Sequence, residues 1–267
     1  MSFVAVEKPR PHITLVTLNR PERMNAMAFD VMIPFKAALE EVSHDNDVRV
    51  VVVTGAGSGF CSGADLEDPG RLPRIEGLTR TSIARRALEL LDDVVLSLRR
   101  MHQPVLAAVN GPAIGGGFCL AMATDVRIAS TSAVFRAAGI SNGLTASELG
   151  ISYLLPRAIG ASRAFEIMLS GRDVDAVEAE RIGLVSRTVA PGELLDTCYA
   201  LAERMISYSR VGIEVTKRLL WSSLDASSLA AHMDHEGHAQ LYVRLTTENF
   251  EEAIRARKER RPPVYRD

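Results

Sequence analysis

Short runs of β-branched residues recur along the first half of the chain and predict strands. Residues 12–19 alternate apolar and polar positions before a turn-forming Asn-Arg-Pro, and residues 3–8 are expected to pair with them. Residues 48–54 include four consecutive valines, which is typical of a strand buried on both faces of a parallel sheet. Residues 105–110 repeat that pattern, and a shorter run at 126–129 predicts a further strand.

Helical spacing of apolar residues separates these strands. It predicts helices over residues 28–43, with Pro34 expected in the first turn, and over residues 80–101. Residues 66–79 show no clear period and predict a surface loop. The order strand, helix, strand predicts an α/β core of roughly the first 190 residues, followed by a helical C-terminal quarter. The helices expected after the core strands are 146–155, 162–170, 176–182, 193–207 and several between 210 and 257.

Composition narrows the class of protein. The 267 residues are 47% hydrophobic and 24% charged, which is close to the average of globular proteins with a substantial core. The formal net charge of -2 lacks the basic excess expected of a nucleic-acid binder. Three scattered cysteines favour a reducing compartment, and the most apolar stretch, residues 104–126, is broken by Asn110, Pro112 and Asp125. We therefore expect a cytoplasmic protein with neither nucleic acid nor membrane as a partner.

Several short motifs lack the neighbouring sequence features that their usual function requires. The glycines of residues 55–59 follow a strand, but no apolar-periodic helix opens after them, which argues against a dinucleotide fingerprint. His232, His235 and His238 do not form a metal-binding motif, so no metal site is expected. Cys119 lies in the first turn of the helix predicted after a triple glycine, where the helix dipole lowers a thiol pKa; the alternative is a small buried apolar residue.

Two glycine-bearing segments, residues 61–66 and 110–117, each follow a predicted buried strand. Both are therefore expected at the carboxyl ends of neighbouring strands, where α/β sheets place their sites. Glycine allows backbone N–H groups to approach a ligand without a Cβ in the way. Two convergent N–H donors, one of them at a helix N-terminus, are what a developing oxyanion requires.

These segments, with Asn19-Arg20-Pro21, Asn25-Ala26 and Gly183-Leu184-Val185, resemble the crotonase superfamily of enoyl-CoA hydratases and isomerases over about residues 3–258. The resemblance implies a superhelix of ββα units, with a core over residues 1–195 and a helical trimerisation region over 196–267. It implies a homotrimer or hexamer and an acyl-CoA thioester as ligand, with coenzyme A entering as part of the substrate and no separate cofactor. The backbone N–H groups of Ala64 and Gly116 would form the oxyanion hole. The residues implied at the coenzyme A arm are Arg23, Asn25, Ala26, Ser62, Asp65, Leu66 and Lys258.

The chain departs from the hydratases at the positions of the two catalytic glutamates. Cys119 and Gly139 stand there, and neither side chain performs ordinary acid or base catalysis. Glu148, at a predicted helix start, is the one acidic side chain expected nearby, and its place resembles the region in which dienoyl-CoA isomerases of this superfamily carry a further acidic residue. The alternative is helix capping, with Ser147 or Thr145 as the cap and Glu148 complementing the helix dipole. Asp65 is a weaker candidate because it is expected to fix a turn. Three hypotheses remain: isomerisation of an enoyl-CoA, an atypical hydration, and acyl-CoA binding without catalysis.

Overall fold

The computed structural model describes residues 2–266, which fold into an α/β structure with two sheets. The larger sheet has six strands in the order β1-β2-β3-β4-β6-β9, and the smaller sheet has three in the order β5-β7-β8. The strands are β1 (Val4–Arg10), β2 (Ile13–Leu18), β3 (Val50–Gly55), β4 (Val105–Val109), β5 (Ala113–Ile114), β6 (Val126–Ser130), β7 (Val134–Arg136), β8 (Val174–Asp175) and β9 (Arg187–Val189).

Helices follow most of the strands and continue alone after β9. Three short 3-10 turns, at Pro21–Arg23, Ile140–Asn142 and Pro191–Glu193, complete the regular structure among residues 2–266. The helices are α1 (Phe29–His44), α2 (Arg80–Arg100), α3 (Gly116–Ala123), α4 (Ile151–Ile159), α5 (Ala161–Ser170), α6 (Ala176–Arg181), α7 (Leu194–Ile206), α8 (Arg210–Ser223), α9 (Leu229–Thr246) and α10 (Asn249–Glu259).

The larger sheet is parallel from β2 to β9, and only β1 runs antiparallel to its neighbour. Every residue of β3 is buried, as its run of valines predicts. Val51 and Val53 pack into one core with α1, α2 and α3, whereas Val50 and Val52 pack into a second core with α7. The prediction of a strand buried on both faces is therefore confirmed.

The smaller sheet places the two glycine-bearing segments beside each other. Isolated bridges join Met27 to Ala64 and Cys61 to Ala113, and β5 continues this second ladder through β7 to β8. Each turn of the chain thus contributes a strand to the large sheet, a short bridge or strand to the small one, and a helix. This is the ββα superhelix that the resemblance implies. The short strands β7, β8 and β9 were not predicted, because two or three residues show no measurable period.

Helix α8 is attached to the segment before β6 through a buried ion pair. Lys217 on α8 places its Nζ 2.9 Å from Asp125 Oδ2, and the same ammonium donates to the carbonyl oxygen of Gln103 at 2.8 Å. Trp221 donates its indole N–H to Asp125 Oδ1 at 2.6 Å. By contrast α7 belongs to the sheet, because its apolar residues fill the second core. A division at residue 195 would separate this covering helix from the strands that it covers.

Two helix boundaries differ from the sequence expectation. The first helix begins at Phe29, so Pro34 lies in its second turn and not in its first. Burial of Val31 and Phe35 outweighs the backbone hydrogen bond that this proline removes. The helix expected over residues 146–155 begins only at Ile151. Among the residues described, no helix is both long and apolar enough to cross a bilayer.

Candidate functional site

Two loops meet at the carboxyl ends of β3 and β4; we call residues 61–66 the first loop and residues 110–117 the second loop. Their backbones touch at Gly63, whose φ of +84° is disfavoured for a residue with a Cβ. A Cβ placed on Gly63 would stand 3.3 Å from the backbone nitrogen of Gly116 and 2.7 Å from the carbonyl oxygen of Ile114. Glycine is therefore required for the two loops to lie this close.

The backbone N–H of Ala64 is left outside the small ladder by its register. Met27 donates its N–H to the carbonyl oxygen of Gly63 at 2.7 Å and accepts from the N–H of Asp65 at 3.4 Å. Both bonds of this parallel bridge therefore skip Ala64, which is exposed. Among residues 2–266, the Ala64 N–H has no hydrogen-bond acceptor and is free for a ligand.

The Gly116 N–H is unpaired for a different reason, because Gly116 is the first residue of α3. The helical bonds begin with Cys119, whose N–H donates to the carbonyl oxygen of Gly115 at 3.1 Å. The backbone N–H of Gly115 donates to the backbone carbonyl oxygen of Arg136 at 2.8 Å, which fixes the backbone just before α3. Within the described chain, the N–H groups of Ala64 and Gly116 thus both lack acceptors on adjoining loops.

Glu148 places its carboxylate beside the second loop. Its Oε1 lies 3.3 Å from the position that a Cβ on Gly115 would occupy. The side chain is half-buried, and burial raises the pKa of Glu148 above its ordinary value. Leu149 and Gly150 follow with φ of +46° and +81°, so the backbone turns sharply before α4 begins at Ile151. Glu148 therefore precedes the helix, and the expectation of a helix start and of a cap there is wrong.

The side chain of Cys119 packs beneath Glu148. The thiol donates to the carbonyl oxygen of Glu148 at 3.5 Å, and burial raises the pKa of Cys119 well above its ordinary value. Desolvation outweighs the helix dipole here, which corrects the expectation of a lowered thiol pKa. Cys119 is thus the small buried residue of the alternative interpretation.

Gly139 is the position at which the resemblance to the hydratases implies a second catalytic glutamate. A Cβ on Gly139 would overlap the carbonyl oxygen of Thr145 and lie 3.3 Å from the Cα of Ala146. The N–H of Leu144 donates to the carbonyl oxygen of Gly139 at 2.9 Å, which holds this loop closed. The backbone of Thr145 and Ala146 occupies the space that a side chain at position 139 would need.

Asp65 is engaged by donors from two segments of the chain. Its carboxylate accepts from Arg23 at 2.6 and 3.3 Å and from Arg20 at 3.0 Å. The backbone N–H groups of Glu67 and Asp68 add bonds of 3.1 and 2.9 Å. The hydrogen bond from the Arg23 guanidinium holds the pKa of Asp65 well below its ordinary range. The expectation that Asp65 fixes the turn is confirmed, and its side chain is not available to coenzyme A.

Other residues implied at the coenzyme A arm are also engaged within the protein. Asn25 is fully buried; its side chain accepts from the N–H of Arg20 at 2.9 Å and donates to Ala56 and Gly59, each at 2.9 Å. Ala26 is buried beside it. The side chains of Asn25 and Ala26 are therefore not available to coenzyme A.

Ser62, Leu66 and Lys258 fall in three different environments. The hydroxyl of Ser62 donates to the carbonyl oxygen of Arg23 at 3.3 Å, and Leu66 is 75% exposed. Lys258 lies on α10, whose first residue, Asn249, donates to Ser209 at 3.0 Å. Among the contacts of residues 2–266, none joins Lys258 to either loop.

The residues that hold and cover this site carry no local sequence signal. Arg20 is 8% exposed, and its place in Asn-Arg-Pro gives no sign that its partner Asp65 lies 45 residues further along the chain. Met27 and Leu149 cover the Cα of Gly116, since a Cβ there would overlap Met27 Sδ and lie 3.4 Å from Leu149 Cδ1. Across residues 2–266, His, Cys, Asp and Glu side chains form no group of three or more placed to hold a metal ion.

A sequence profile described as enoyl-CoA hydratase/isomerase matches residues 10–267. The chain therefore belongs to the enoyl-CoA hydratase/isomerase family of the crotonase superfamily, whose members are enzymes of acyl-CoA thioesters. Two N–H groups on adjoining loops that lack acceptors within the described chain, with a carboxylate beside them, are consistent with that chemistry.

Individual relatives extend over the whole chain. The probable enoyl-CoA hydratase EchA12 of Mycobacterium tuberculosis (strain ATCC 25618 / H37Rv) is 69% identical over 267 residues, covering 100% of this chain and 94% of the relative. A solved structure of a probable enoyl-CoA hydratase/isomerase from Mycobacterium abscessus has a TM-score of 0.96 at 69% identity, covering 100% and 99% of the two chains. A monofunctional enoyl CoA isomerase from M. smegmatis has a TM-score of 0.75 at 61% identity, covering 87% and 99%.

Proposed function

We propose that this protein is an enoyl-CoA isomerase that moves a carbon–carbon double bond along an acyl-CoA thioester. The Glu148 carboxylate removes a proton from C2 of a 3-enoyl thioester, and the electron pair moves toward the thioester oxygen. The N–H groups of Ala64 and Gly116 stabilise the resulting enolate, each contributing about 3 kcal/mol. Protonated Glu148 then returns the proton to C4, which leaves a 2-enoyl thioester of the same composition.

The observation that carries this proposal is the placing of one available carboxylate beside the two loops. Glu148 faces Gly115 and has no basic partner among the hydrogen bonds and ion pairs of the described residues. Asp65, by contrast, is neutralised by two arginines. A single carboxylate suffices to take a proton from one carbon and return it to another, whereas the family's usual hydration employs two.

The pKa of Glu148 supports a shuttling role. A carboxylate exchanges protons with carbon most effectively when its pKa lies near the operating pH, and burial moves the pKa of Glu148 in that direction. The covering side chains of Met27 and Leu149 are apolar, which favours exclusion of bulk water from the reacting carbon. The resemblance to a monofunctional enoyl CoA isomerase, at 61% identity, supports the same reaction.

Hydration is the second candidate, because the relatives at 69% identity are called probable enoyl-CoA hydratases. It would require water to be activated by Glu148 together with a group other than Cys119, whose thiol is buried. Acyl-CoA binding without catalysis is the third candidate, and it would leave Glu148 without a chemical role.

One assay distinguishes the three. Purified protein is incubated separately with 3-hexenoyl-CoA and 2-hexenoyl-CoA, while the absorbance of the conjugated thioester and the product mass are followed. Isomerisation of the first substrate raises the absorbance at unchanged mass. Addition of one water to the second substrate lowers the absorbance and supports the hydratase instead. Binding of both thioesters without turnover would contradict the proposal and leave the acyl-CoA binder.

We further propose that the chain assembles as a homotrimer or as a hexamer of two trimers. Large apolar side chains on α9 and α10, including Leu241, Leu245 and Phe250, are more than half exposed in the single chain, which supports burial against another copy. In such an assembly Lys258 would serve the site of a neighbouring chain. Light scattering is expected to give three or six times the chain mass of 29.0 kDa. The three buried, unpaired cysteines support a cytoplasmic location.

A further inference from the structure

Residues 148–151 form a tight turn whose sequence does not suit its backbone. The N–H of Ile151 donates to the carbonyl oxygen of Glu148 at 2.9 Å, and the two central residues, Leu149 and Gly150, have φ of +46° and +81°. Positive φ at both central positions is the pattern of a type I′ turn, in which glycine, asparagine and aspartate predominate. A leucine at the first of these positions raises the free energy of the folded backbone. The geometry of the turn therefore gives no reason for a leucine there.

The side chains of this turn lie against the second loop. Glu148 Oε1 is 3.3 Å from the position of a Cβ on Gly115, and Leu149 Cδ1 is 3.4 Å from the corresponding position on Gly116. Consecutive Cα atoms are about 3.8 Å apart, so the carboxylate and the leucine methyl group lie against neighbouring residues of that loop. The thiol of Cys119 donates to the carbonyl oxygen of Glu148 at 3.5 Å, which helps to hold the peptide between the two side chains.

Apolar side chains border the carboxylate at this point. Leu149 packs against the main core, and Met27 places its Sδ and Cε over the Cα of Gly116. Glu148 is half-buried, and burial raises its pKa, as expected for a carboxyl group partly removed from water. Keeping water from a protonated group slows the loss of its proton to solvent. The two apolar side chains are thus placed to protect a proton held by Glu148.

We propose that Leu149 is a positioning residue, held by its turn beside the Glu148 carboxyl, where it keeps water from the proton in transit between C2 and C4. This inference rests on the proposed function, because it concerns the same proton transfer. Leu149 neither donates nor accepts a proton; it excludes the water with which protonated Glu148 would exchange. The proton that leaves C2 is therefore the proton that returns to C4, and the Glu148 carboxylate is regenerated.

Isomerisation in heavy water tests this role. The protein converts 3-hexenoyl-CoA in D2O, the reaction is stopped while little substrate has been consumed, and the mass of the 2-enoyl product is measured. The wild-type product is expected to carry less than about 0.1 deuterium per molecule, because a shielded Glu148 returns the original proton. Leu149→Asn suits the left-handed backbone and admits water, so its product is expected to carry more than about 0.5 deuterium per molecule. A merely structural role would change the rate of product formation and leave its isotope content as it is.

Two further variants serve as controls. Leu149→Met keeps an apolar side chain of similar volume and is expected to keep the low deuterium content of the wild type. Leu169→Asn makes the same exchange of side chain on α5, where the leucine is 76% exposed. It is expected to retain both the turnover and the isotope content of the wild-type protein.

The outcomes separate this inference from the function on which it rests. Equal, low deuterium contents in Leu149→Asn and the wild type would overturn the positioning role and leave isomerisation standing. High deuterium content in the wild-type product would do the same, because no shield would then exist. A wild-type protein that forms no 2-enoyl product would overturn the proposed function and this inference with it.

A second substitution covers the case in which Leu149→Asn does not fold. Leu149→Gly removes the side chain at a position whose positive φ glycine adopts without strain. The same rise in deuterium content is expected in its product, and an unchanged content would contradict the proposal.

Discussion

The carbonyl oxygen of Thr145 occupies the space into which a side chain at position 139 would project. Gly139→Ala is therefore expected to lower the free energy of unfolding by about 2 kcal/mol, because closely packed backbone must move to admit a methyl group. Gly139→Glu is expected to be less stable still and to show no gain of hydratase activity. Chemical denaturation and the 2-hexenoyl-CoA assay measure the two effects.

The control for this prediction is Gly192→Ala. A Cβ on Gly192 meets no atom within 4 Å, so this variant is expected to differ from the wild type by less than about 0.5 kcal/mol. A Gly139→Glu protein that is stable and hydrates 2-hexenoyl-CoA would show that the loop yields, and would remove the structural argument against hydration.

Substitution of Glu148 tests the proton carrier directly. Glu148→Gln keeps the shape of the side chain and removes its capacity to accept a proton from carbon. Turnover of 3-hexenoyl-CoA is expected to fall about 1,000-fold, within the range attributed to general acid–base groups. The Kd for the thioester is expected to change less than about threefold, since binding depends on the loops.

A comparison with Glu193→Gln controls for the loss of one glutamate elsewhere. Glu193 lies in the short turn before α7, and this variant is expected to keep wild-type turnover. Full activity in Glu148→Gln would assign the proton transfer to another group and contradict the mechanism.

The raised pKa of Glu148 predicts a pH dependence of activity. The carboxylate must be ionised to accept a proton, so kcat/KM is expected to rise with pH and to level off above the pKa of Glu148. Because burial raises that pKa, the midpoint is expected above the ordinary glutamate value of 4.5. A pH–rate profile with no acid limb above that value would contradict this placement of Glu148.

The contribution of Glu148 to the free energy of unfolding is expected to fall as pH rises, whereas kcat/KM rises. Below the ordinary pKa the carboxyl is protonated in both the folded and the unfolded chain, so it has no differential effect. As pH rises from the ordinary pKa toward the raised pKa of the folded protein, the unfolded chain releases its proton first. The folded state therefore loses stability relative to the unfolded state over this range. The melting temperature of Glu148→Gln is therefore expected to match the wild type at pH 4 and to exceed it at pH 8. Parallel curves for the two proteins would contradict this linkage.

The buried pair of Lys217 and Asp125 predicts a large loss of stability when one partner is removed. Lys217→Met leaves the Asp125 carboxylate without its cation, and such changes lower stability by about 3 kcal/mol or more. The chain has a single tryptophan, Trp221, which donates to the same carboxylate, so its fluorescence reports the change directly. Lys36→Met is the control: its pair with Glu40 lies on the surface and is expected to contribute less than about 0.5 kcal/mol. Equal losses in both variants would contradict the anchoring role of Lys217.

The sequence predicts the central strands β2, β3 and β4 of the larger sheet well because they are buried on two faces. A run such as Val50 to Val53 has no polar side to accommodate, and few structures other than a helix-covered parallel strand accept it. The two loops were predictable for a related reason, since glycines at strand ends indicate close backbone approach. Both signals are local, so they can be read without knowing what the chain packs against.

The backbone conformation after Glu148 and the pairing of Asp65 with Arg20 could not be predicted from local sequence signals. The left-handed backbone at Leu149 is rare for a branched residue, and no neighbouring residue type announces it, so the helix was predicted several residues early. The bonds between Asp65 and Arg20 join residues far apart in sequence. Their pairing follows from the superhelix as a whole and from no pattern within either segment.

The outermost strand, β1, affects how copies of the chain associate. Lys8, Pro9 and Arg10 lie along this free edge, and its register shifts between Glu7 and Arg10. Charges, a missing N–H and an irregular register all oppose the addition of a foreign strand. At this edge the sheet therefore resists pairing with a strand of another copy, and contacts there are directed to side-chain surfaces.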